Sequence, residues 1–327
     1  MSGVEIKTVT ADEADMRLDR WFRAHYPQLP TTALQKLLRK GQVRLDGKRV
    51  KANVRVAGGQ KVRVPPLPDL PPRPERKGER KGISAADAAF VQSLVIHKDP
   101  AIIVLNKPPG LAVQGGSKTT RHIDGMLEGL KFEKPERPRL VHRLDKDTSG
   151  VLVLARSRKV AARLGQVFQG KTATKLYWSL VAGAPRPAMG IIDLPLGKSG
   201  GPGAERVQAG GADARRAVSE YAVIESAGNR VSFVVLKPVT GRTHQLRVHM
   251  SEIGHPVVGD GKYGGEVCFI GGLSFKLHLH ARSITLPHPA GGTLHVEAEL
   301  PEHMRKSWDA LGFENRAGFD PFTEEQA

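Results

Sequence analysis

A dense run of prolines divides this chain into two parts and limits how each part can fold. Proline has no backbone N–H donor and holds φ near one value, so such a run cannot continue a helix or a central strand. It favours an extended, semi-rigid spacer instead. The run consists of Pro65, Pro66, Pro68, Pro71, Pro72 and Pro74. We therefore predict an N-terminal domain over residues 1–64, a linker over 65–83, a second domain over 84–312 and a loosely held polar, acidic tail over 313–327.

The charge of the chain restricts its partners. Lys and Arg number 50 against 33 Asp and Glu, which gives a formal net charge of +17. A surplus of this size indicates an acidic partner such as nucleic acid or an anionic membrane. The sequence contains no apolar run near the ~20 residues that span a bilayer, and residues 1–19 lack the apolar core of a signal peptide. The single cysteine, Cys268, excludes an intramolecular disulfide and a cysteine-based zinc site, and we expect a cytoplasmic protein.

The N-terminal domain shows the pattern of a small mixed helix and strand module. Apolar residues spaced i, i+3, i+4 predict two short helices. We expect Thr31 or Thr32 to cap the second helix and Gly41 to end it. The pair Asp46–Gly47 then predicts a hairpin turn between two short strands.

Basic residues are concentrated in this module, where residues 31–64 hold ten of them and one acid, Asp46. Such a run is either a solvated surface or a phosphate-binding surface, and its continuation from helix to hairpin favours phosphate binding. The pattern RLDRW…TTALQKLLRKGQVRLDGKRVKANVRVAGGQKVRV, over residues 15–64, resembles the S4 domain, and this resemblance implies binding to structured RNA. The residues expected to contact RNA are Lys36, Arg39, Lys40, Arg44, Lys48 and Arg49.

Residues 139–156, RLVHRLDKDTSGVLVLAR, predict two core strands joined by a tight polar loop. Arg143 lies two residues before Asp145, so on a strand both side chains share a face. An arginine there stabilises the ionised carboxylate, the form that acts as a nucleophile. The spacing alone favours a structural ion pair, and Asp147 raises a glycosidase-like alternative. An Asx-turn is the commoner role for an aspartate in such a turn.

The stretch HRLDKDTSG at 142–150 resembles the signature of the RluA-type pseudouridine synthases. Further stretches resemble other motifs of that family in order: IIVLNKPPGLAVQGGS, KLYWSLVAG, PVTGRTHQLRVHMSEIGHPVVGDGKYG and LHLHARSITLPHP. The S4 domain narrows the resemblance to the branch that modifies ribosomal RNA, and NKPPGLAVQGGS is most similar to its large-subunit enzymes. The resemblance implies an α+β catalytic domain, with a largely antiparallel central sheet flanked by helices, that isomerises uridine to pseudouridine.

Three residues receive catalytic roles from this resemblance. Asp145 becomes the nucleophile, which attacks either C1′ of the ribose or C6 of the base. Tyr177 would stack on the uracil, and its hydroxyl is a candidate for helping to remove the C5 proton; otherwise it is a half-buried strand aromatic. Arg242 would pair with the catalytic carboxylate, the alternative being an exposed loop arginine. It precedes a helix that we expect Thr243 to cap.

Other basic residues receive supporting roles. Arg143 would either support Asp145 or enter the RNA helix where the target base has been extruded, and the resemblance favours the second role. Lys107 and Arg139 are candidates for phosphate contact, with structural roles equally open. The residues expected to orient the helix after Arg242 or to touch RNA, without doing chemistry, are Arg247 and His249.

The implied reaction is redox-neutral and uses no cofactor and no metal, in agreement with a sequence that lacks a P-loop or G-x-G-x-x-G motif. We interpret His278 and His280 as alternating strand residues rather than metal ligands. The expected partner is large-subunit ribosomal RNA or an assembly intermediate, bound by a monomer, with no membrane partner.

Two rival functions and one segment stay open. The scaffold could serve a non-catalytic RNA-binding assembly factor, or Asp145 and Asp147 could act as a hydrolase. The glycine-rich stretch 197–214 is either a disordered insertion or a flap that orders on RNA, and we predict the former.

Overall fold

Contacts between residues divide the chain into two units, Met1–Gly82 and Ile83–Ala327. The structure is a computed structural model. The residues that it describes are 3–67, 83–116, 119–200, 206–211 and 213–323. Most of the predicted linker, residues 68–82, lies outside them. Within the described part of the chain, no helix is both long enough and apolar enough to cross a membrane.

The first unit packs two helices against a four-stranded antiparallel sheet with the order β1-β4-β2-β3. The predicted helix faces are buried, with Leu18, Trp21 and Leu34 at the centre of the core. Its elements are β1 (Glu5–Thr8), α1 (Leu18–His25), α2 (Thr31–Arg39), β2 (Arg44–Leu45), β3 (Lys48–Arg49) and β4 (Lys61–Val64).

Turn chemistry sets the ends of these elements. Asp46 and Gly47 have φ values of 48° and 77°, the type I′ geometry of the predicted hairpin. Gly41 ends α2 with a φ of 68°, as expected. The predicted threonine cap is wrong, because Pro30 occupies the N-cap position and Thr31 is already the first helical residue.

The second unit contains five helices and twelve strands in its described residues. The helices are α3 (Ala85–Ser93), α4 (Ile123–Met126), α5 (Arg158–Gln169), α6 (Gln245–Glu252) and α7 (Glu302–Leu311). The strands are β5 (Val95–Lys98), β6 (Ile102–Lys107), β7 (Arg139–Leu140), β8 (Ser149–Ala155), β9 (Thr174–Ala182), β10 (Met189–Asp193), β11 (Leu196–Ser199), β12 (Arg206–Ala209), β13 (Val218–Ala227), β14 (Val231–Pro238), β15 (Leu279–Pro287) and β16 (Thr293–Glu297).

Ten of these strands form one sheet with the order β10-β13-β14-β9-β15-β8-β6-β5, in which β16 also pairs with β15 and β7 with β8. Only the pairing of β8 with β15 is parallel among the described strands. The predicted α+β fold with a largely antiparallel central sheet is therefore confirmed. All seven residues of β8 are buried, because it lies between β6 and β15 and α5 packs against it.

The alternation predicted for β9 separates two faces of this sheet. Leu176 and Trp178 pack with Trp308 of α7 on one face. Tyr177 packs on the other face, in the cluster that contains Leu246 of α6. The face that carries Tyr177 is therefore the face on which α6 lies.

Two segments are more ordered than predicted. Strands β11 and β12 pair as an antiparallel ribbon, so the prediction of a disordered insertion is wrong for residues 197–199 and 206–209. The tail is not loosely held over its described residues, because Phe313 is buried and Phe322 packs against the cluster that contains Trp308. Both segments contain apolar side chains that pack against the rest of the unit. The predictions were wrong because they rested on the polar composition of the segments.

Candidate active site

A cavity of about 720 Å³ opens in the second unit between the Asp145 loop, the start of β9 and the connection from β14 to α6. Four of the predicted site residues line it: Arg143, Asp145, Tyr177 and Arg242. Lys107 and Arg139 lie outside its lining. The fold thus brings together residues that are about a hundred positions apart in sequence.

Asp145 is positioned by the strand that follows it. Its loop joins β7 to β8, and Gly150 of β8 pairs with Lys107 of β6 and with Ala281 of β15. Gly150 has a φ of 107°, and a Cβ atom there would lie 2.2 Å from the carbonyl oxygen of Ala281. Only glycine fits this approach, which holds the loop against two core strands.

Lys107 makes structural contacts, one of the two roles that the sequence left equally open. It is fully buried, and its Nζ donates to the carbonyl oxygens of Pro108 at 2.8 Å, Leu111 at 2.9 Å and Lys146 at 3.0 Å. Burial lowers the pKa of Lys107 to about 7, against the opposing charges of Asp147 and Asp145. Since all three ammonium protons are used and one bond reaches the Asp145 loop, Lys107 ties this loop to the sheet.

The Asp145 carboxylate is half-buried and faces the cavity. Its nearest cationic partner is His244, whose Nε2 lies 3.9 Å from Oδ1. Within the described chain no hydrogen bond is made to this carboxylate, and Arg143 is exposed and forms no ion pair with it. The contact between Arg143 and Asp145, the role that the resemblance favoured less, is therefore not formed, and both carboxylate oxygens are available to a substrate.

Tyr177 presents its half-buried ring to the same cavity. Burial, with the nearby Asp145 charge, raises the pKa of its phenol above the usual value. The hydroxyl therefore stays protonated at neutral pH. A protonated hydroxyl can donate a hydrogen bond, and the ring is open to stacking from the cavity; help in removing the C5 proton stays a prediction.

The expected ion pair between Arg242 and Asp145 is not formed in this structure. Arg242 is exposed at the rim of the cavity, and its Nε donates to the carbonyl oxygen of Arg216 at 3.2 Å. Its backbone N–H donates to Oε1 of Gln245 at 3.0 Å. His244, two residues further along the chain, lies beside the carboxylate instead.

The first turn of α6 is organised by Gln245 rather than by the predicted Thr243 cap. Oε1 of Gln245 also accepts from the Thr240 hydroxyl at 2.7 Å, and its Nε2 donates to the Val218 carbonyl at 2.9 Å. The N-cap residue is His244, in the left-handed conformation with a φ of 54°. The buried side-chain amide of Gln245 thus fixes the loop to β13. Neither Gln245 nor His244 was identified from the sequence.

His244 is the functional candidate that sequence reasoning missed. Its Nδ1 bonds to the hydroxyl of Tyr263 at 2.6 Å, which fixes the ring with Nε2 toward Asp145. Burial lowers the pKa of His244, and the Asp145 charge opposes this effect. The available signal was its place in TGRTHQ, two residues after Arg242.

Arg247 and His249 orient α6, as expected. Arg247 makes a buried two-pronged ion pair with Asp260, at 2.7 Å and 2.6 Å. His249 bonds to the Ser219 hydroxyl and to the Leu194 carbonyl. Both contacts anchor the helix that carries His244.

The remaining predicted residues separate into core and surface groups. His278 and His280 are buried and bond to the Ser307 and Ser149 hydroxyls, which supports their structural interpretation. Arg139 is exposed, with Glu136 at 3.7 Å. Six basic residues of the first unit were predicted to contact RNA. All six are exposed, and none pairs with an acid among the described residues: Lys36, Arg39, Lys40, Arg44, Lys48 and Arg49.

Comparison with known proteins identifies the class to which this fold and site belong. A sequence model described as RNA pseudouridylate synthase matches residues 101–252, and a model of the S4 domain matches residues 16–62. The chain belongs to the pseudouridine synthase family.

Individual relatives cover most of the chain. It is 36% identical to RNA pseudouridine synthase 4, mitochondrial, of Arabidopsis thaliana, over 94% of this chain and 82% of that protein. It is 34% identical to ribosomal large subunit pseudouridine synthase C of Escherichia coli (strain K12), over 94% of this chain and 97% of that protein. The solved structure of human RNA pseudouridylate synthase domain containing 4 covers 70% of this chain and 98% of its own, with 30% identity and a TM-score of 0.59.

Proposed function

We propose that this enzyme converts specific uridines of large-subunit ribosomal RNA to pseudouridine, with Asp145 as the nucleophile. The observation that carries the proposal is the convergence of Asp145, Tyr177 and Arg242 on one cavity. The ribosomal substrate is inferred from the relative named for the large subunit and from the S4 domain. We infer from this ribosomal substrate that the activity lies in the cytoplasm.

The reaction moves one bond within the substrate. Asp145 attacks C1′ of the ribose or C6 of the base, and the bond between C1′ and N1 breaks. The uracil turns, C5 bonds to C1′, and the bond between Asp145 and the substrate breaks, which restores the free carboxylate. C5 loses a proton and N1 gains one, so no external reactant is consumed. A carboxylate without hydrogen bonds and beside His244 suits this role, because its lone pairs are not engaged.

The shape of the site supports extrusion of the target base. Asp145 faces a cavity rather than a flat surface, so a uridine stacked in RNA must leave its helix to reach it, at a cost of a few kcal/mol. Tyr177 supplies a ring on which the base can stack, worth roughly 1–3 kcal/mol. The exposed Arg143 is free to enter the space that the base vacates.

The two units have different roles in this proposal. Residues 1–64 hold structured RNA through their exposed basic surface, and residues 84–312 carry out the isomerisation. All residues of the cavity come from one chain, so a monomer suffices.

Release of tritium from RNA labelled at C5 of uridine tests the reaction. We expect release by the wild-type chain and none by Asp145→Asn, which keeps the side-chain shape and should retain RNA binding. Full activity of Asp145→Asn would refute the assignment of Asp145 as the nucleophile. Free uracil among the products would favour the hydrolase, and a wild-type chain that binds RNA without tritium release would favour the non-catalytic assembly factor.

A further inference from the structure

One cation in the active-site cavity combines partial burial with the lack of a partner among the described residues. Lys175 lies at the start of β9 and is partly buried, yet it makes no ion pair or hydrogen bond within the described residues. Burial lowers the pKa of its ammonium group, because desolvation penalises the charge. An ammonium group left partly desolvated and unpaired is costly unless a ligand supplies the opposite charge.

Two other cations of the same cavity are paired with acids, whereas Arg143, Lys171 and Arg242 are exposed to solvent. Lys237 lies 3.0 Å from Glu220, and Arg216 lies 2.8 Å from Asp193. These pairs hold the cations in the absence of a ligand.

The walls around Lys175 are neutral. His142 and Phe168 line this end of the cavity and stack with their ring centres 4.7 Å apart. Burial, together with the Lys175 charge, lowers the pKa of His142 to about 3, so this imidazole is uncharged at neutral pH. His142 and Phe168 therefore offer Lys175 no counter-charge, and a phosphate of the substrate would supply one.

Tyr177 fixes which anion is within reach. It lies two residues after Lys175 on the same face of β9, at a backbone separation of about 7 Å. When a base stacks on Tyr177, the phosphates of the same nucleotide lie within about one nucleotide length of the Tyr177 ring. The ammonium group of lysine binds phosphate as a point charge and requires no fixed orientation.

We propose that Lys175 binds a backbone phosphate adjacent to the uridine that occupies the cavity. The inference rests on the proposed function for its substrate, RNA. It assigns Lys175 to substrate binding and gives it no part in bond making or proton transfer.

The test compares Lys175→Met, which keeps most of the aliphatic stem, with Lys175→Arg. Lys159→Met serves as the matched control, because Lys159 is exposed on α5 and lies outside the cavity. Binding to an unmodified transcript of the large-subunit ribosomal RNA of Escherichia coli is measured from roughly 50 to 200 mM KCl. Lys175→Gln is a second neutral variant if Lys175→Met melts below the wild type.

We expect Lys175→Met to bind roughly tenfold more weakly at low salt, the scale of one charge-assisted hydrogen bond. Its plot of log K against log salt should be less steep by about one. Lys175→Arg should restore the wild-type slope, and Lys159→Met should leave it unchanged. The single-turnover rate at saturating RNA should match the wild type in Lys159→Met.

An unchanged salt slope in both neutral variants would overturn the proposal. So would a slower single-turnover rate in Lys175→Met and Lys175→Arg with unchanged affinity, since that pattern places Lys175 in the chemistry. The binding comparison can be repeated with Asp145→Asn in every variant, so it does not depend on turnover. A wild-type chain without tritium release would refute the proposed reaction and leave the salt slopes interpretable.

Discussion

The Nε2 atom of His244 lies 3.9 Å from Oδ1 of Asp145, and it is the cation-forming group nearest to that carboxylate in the described structure. The ring is held in this orientation by its bond to Tyr263 and by the left-handed backbone at the start of α6. Arg242, the residue expected at this place, points to the rim. His244 is therefore the group best placed to position the catalytic carboxylate.

Replacement of His244 tests this relationship. Asn is the suitable substitute, because it tolerates the left-handed conformation that most side chains disfavour. We expect His244→Asn to slow the single-turnover rate roughly fivefold, the scale of a lost polar contact of about 1 kcal/mol, with RNA affinity unchanged. Tyr263→Phe removes only the bond that orients the ring, so its rate should fall less. A His244→Asn variant at the wild-type rate would contradict the positioning role.

The buried pair of Arg247 and Asp260 supports the helix that carries His244. Removal of one partner leaves an uncompensated buried charge, which typically costs 3–5 kcal/mol. We expect Asp260→Asn to lower the free energy of urea unfolding of the second unit by about 3 kcal/mol. The double variant Arg247→Met with Asp260→Leu should recover most of the loss, because neither charge then remains. A loss below about 1 kcal/mol in Asp260→Asn would show that solvent reaches the pair.

Elements governed by local patterns were predictable from the sequence. The unbroken apolar run of β8 gave a fully buried strand, and the alternation of β9 placed Tyr177 on the face opposite Trp178. The Asp46–Gly47 turn followed from the positive φ values that these residues tolerate. Each of these features depends on neighbours within a few residues along the chain.

Features that depend on distant contacts were not predictable. Strand β1 forms because Glu5–Thr8 pairs with β4, more than fifty residues later. Nothing in the local sequence distinguishes Lys107 from other lysines. Its structural role depends on a hydrogen bond to the carbonyl oxygen of Lys146, which lies on another loop. The orientation of Arg242 and His244 depends on the bonds of Gln245 to β13, which no local spacing encodes.

Gly150 provides a test of how the Asp145 loop is held. Its positive φ and the 2.2 Å approach of the Ala281 carbonyl oxygen leave no room for a methyl group. Gly150→Ala should therefore destabilise the second unit by more than about 1 kcal/mol and abolish tritium release. Gly165→Ala is the matched control, since Gly165 lies in α5 with open space around it; it should stabilise by about 0.5–1 kcal/mol. Equal stability of the two variants would contradict the steric argument.

Buried histidines predict how stability depends on pH. Burial lowers the pKa of His280 to about 3 from 6.5, so the folded chain binds its proton less readily than the unfolded chain. Stability is then full above pH 6.5 and is lost as the pH falls toward 3. Between about pH 7.5 and 5 the loss should be about 2 kcal/mol for each such histidine, measured by urea unfolding. His280→Asn should reduce this loss, while His295→Asn, at an exposed position, should not; equal pH dependence in both would contradict the assignment.

The basic surface of the first unit predicts a large share of the salt dependence of RNA binding. Lys36, Arg39 and Lys40 are exposed and unpaired with acids among the described residues. The triple variant with Gln at these positions should bind the ribosomal RNA transcript more weakly and flatten its plot of log K against log salt by about two to three. Arg55→Gln is the control, because Asp15 already neutralises Arg55 at 2.9 Å. The single-turnover rate at saturating RNA should be unchanged, since all of these residues belong to the first unit. An unaltered salt slope in the triple variant would show that this surface does not hold the RNA backbone.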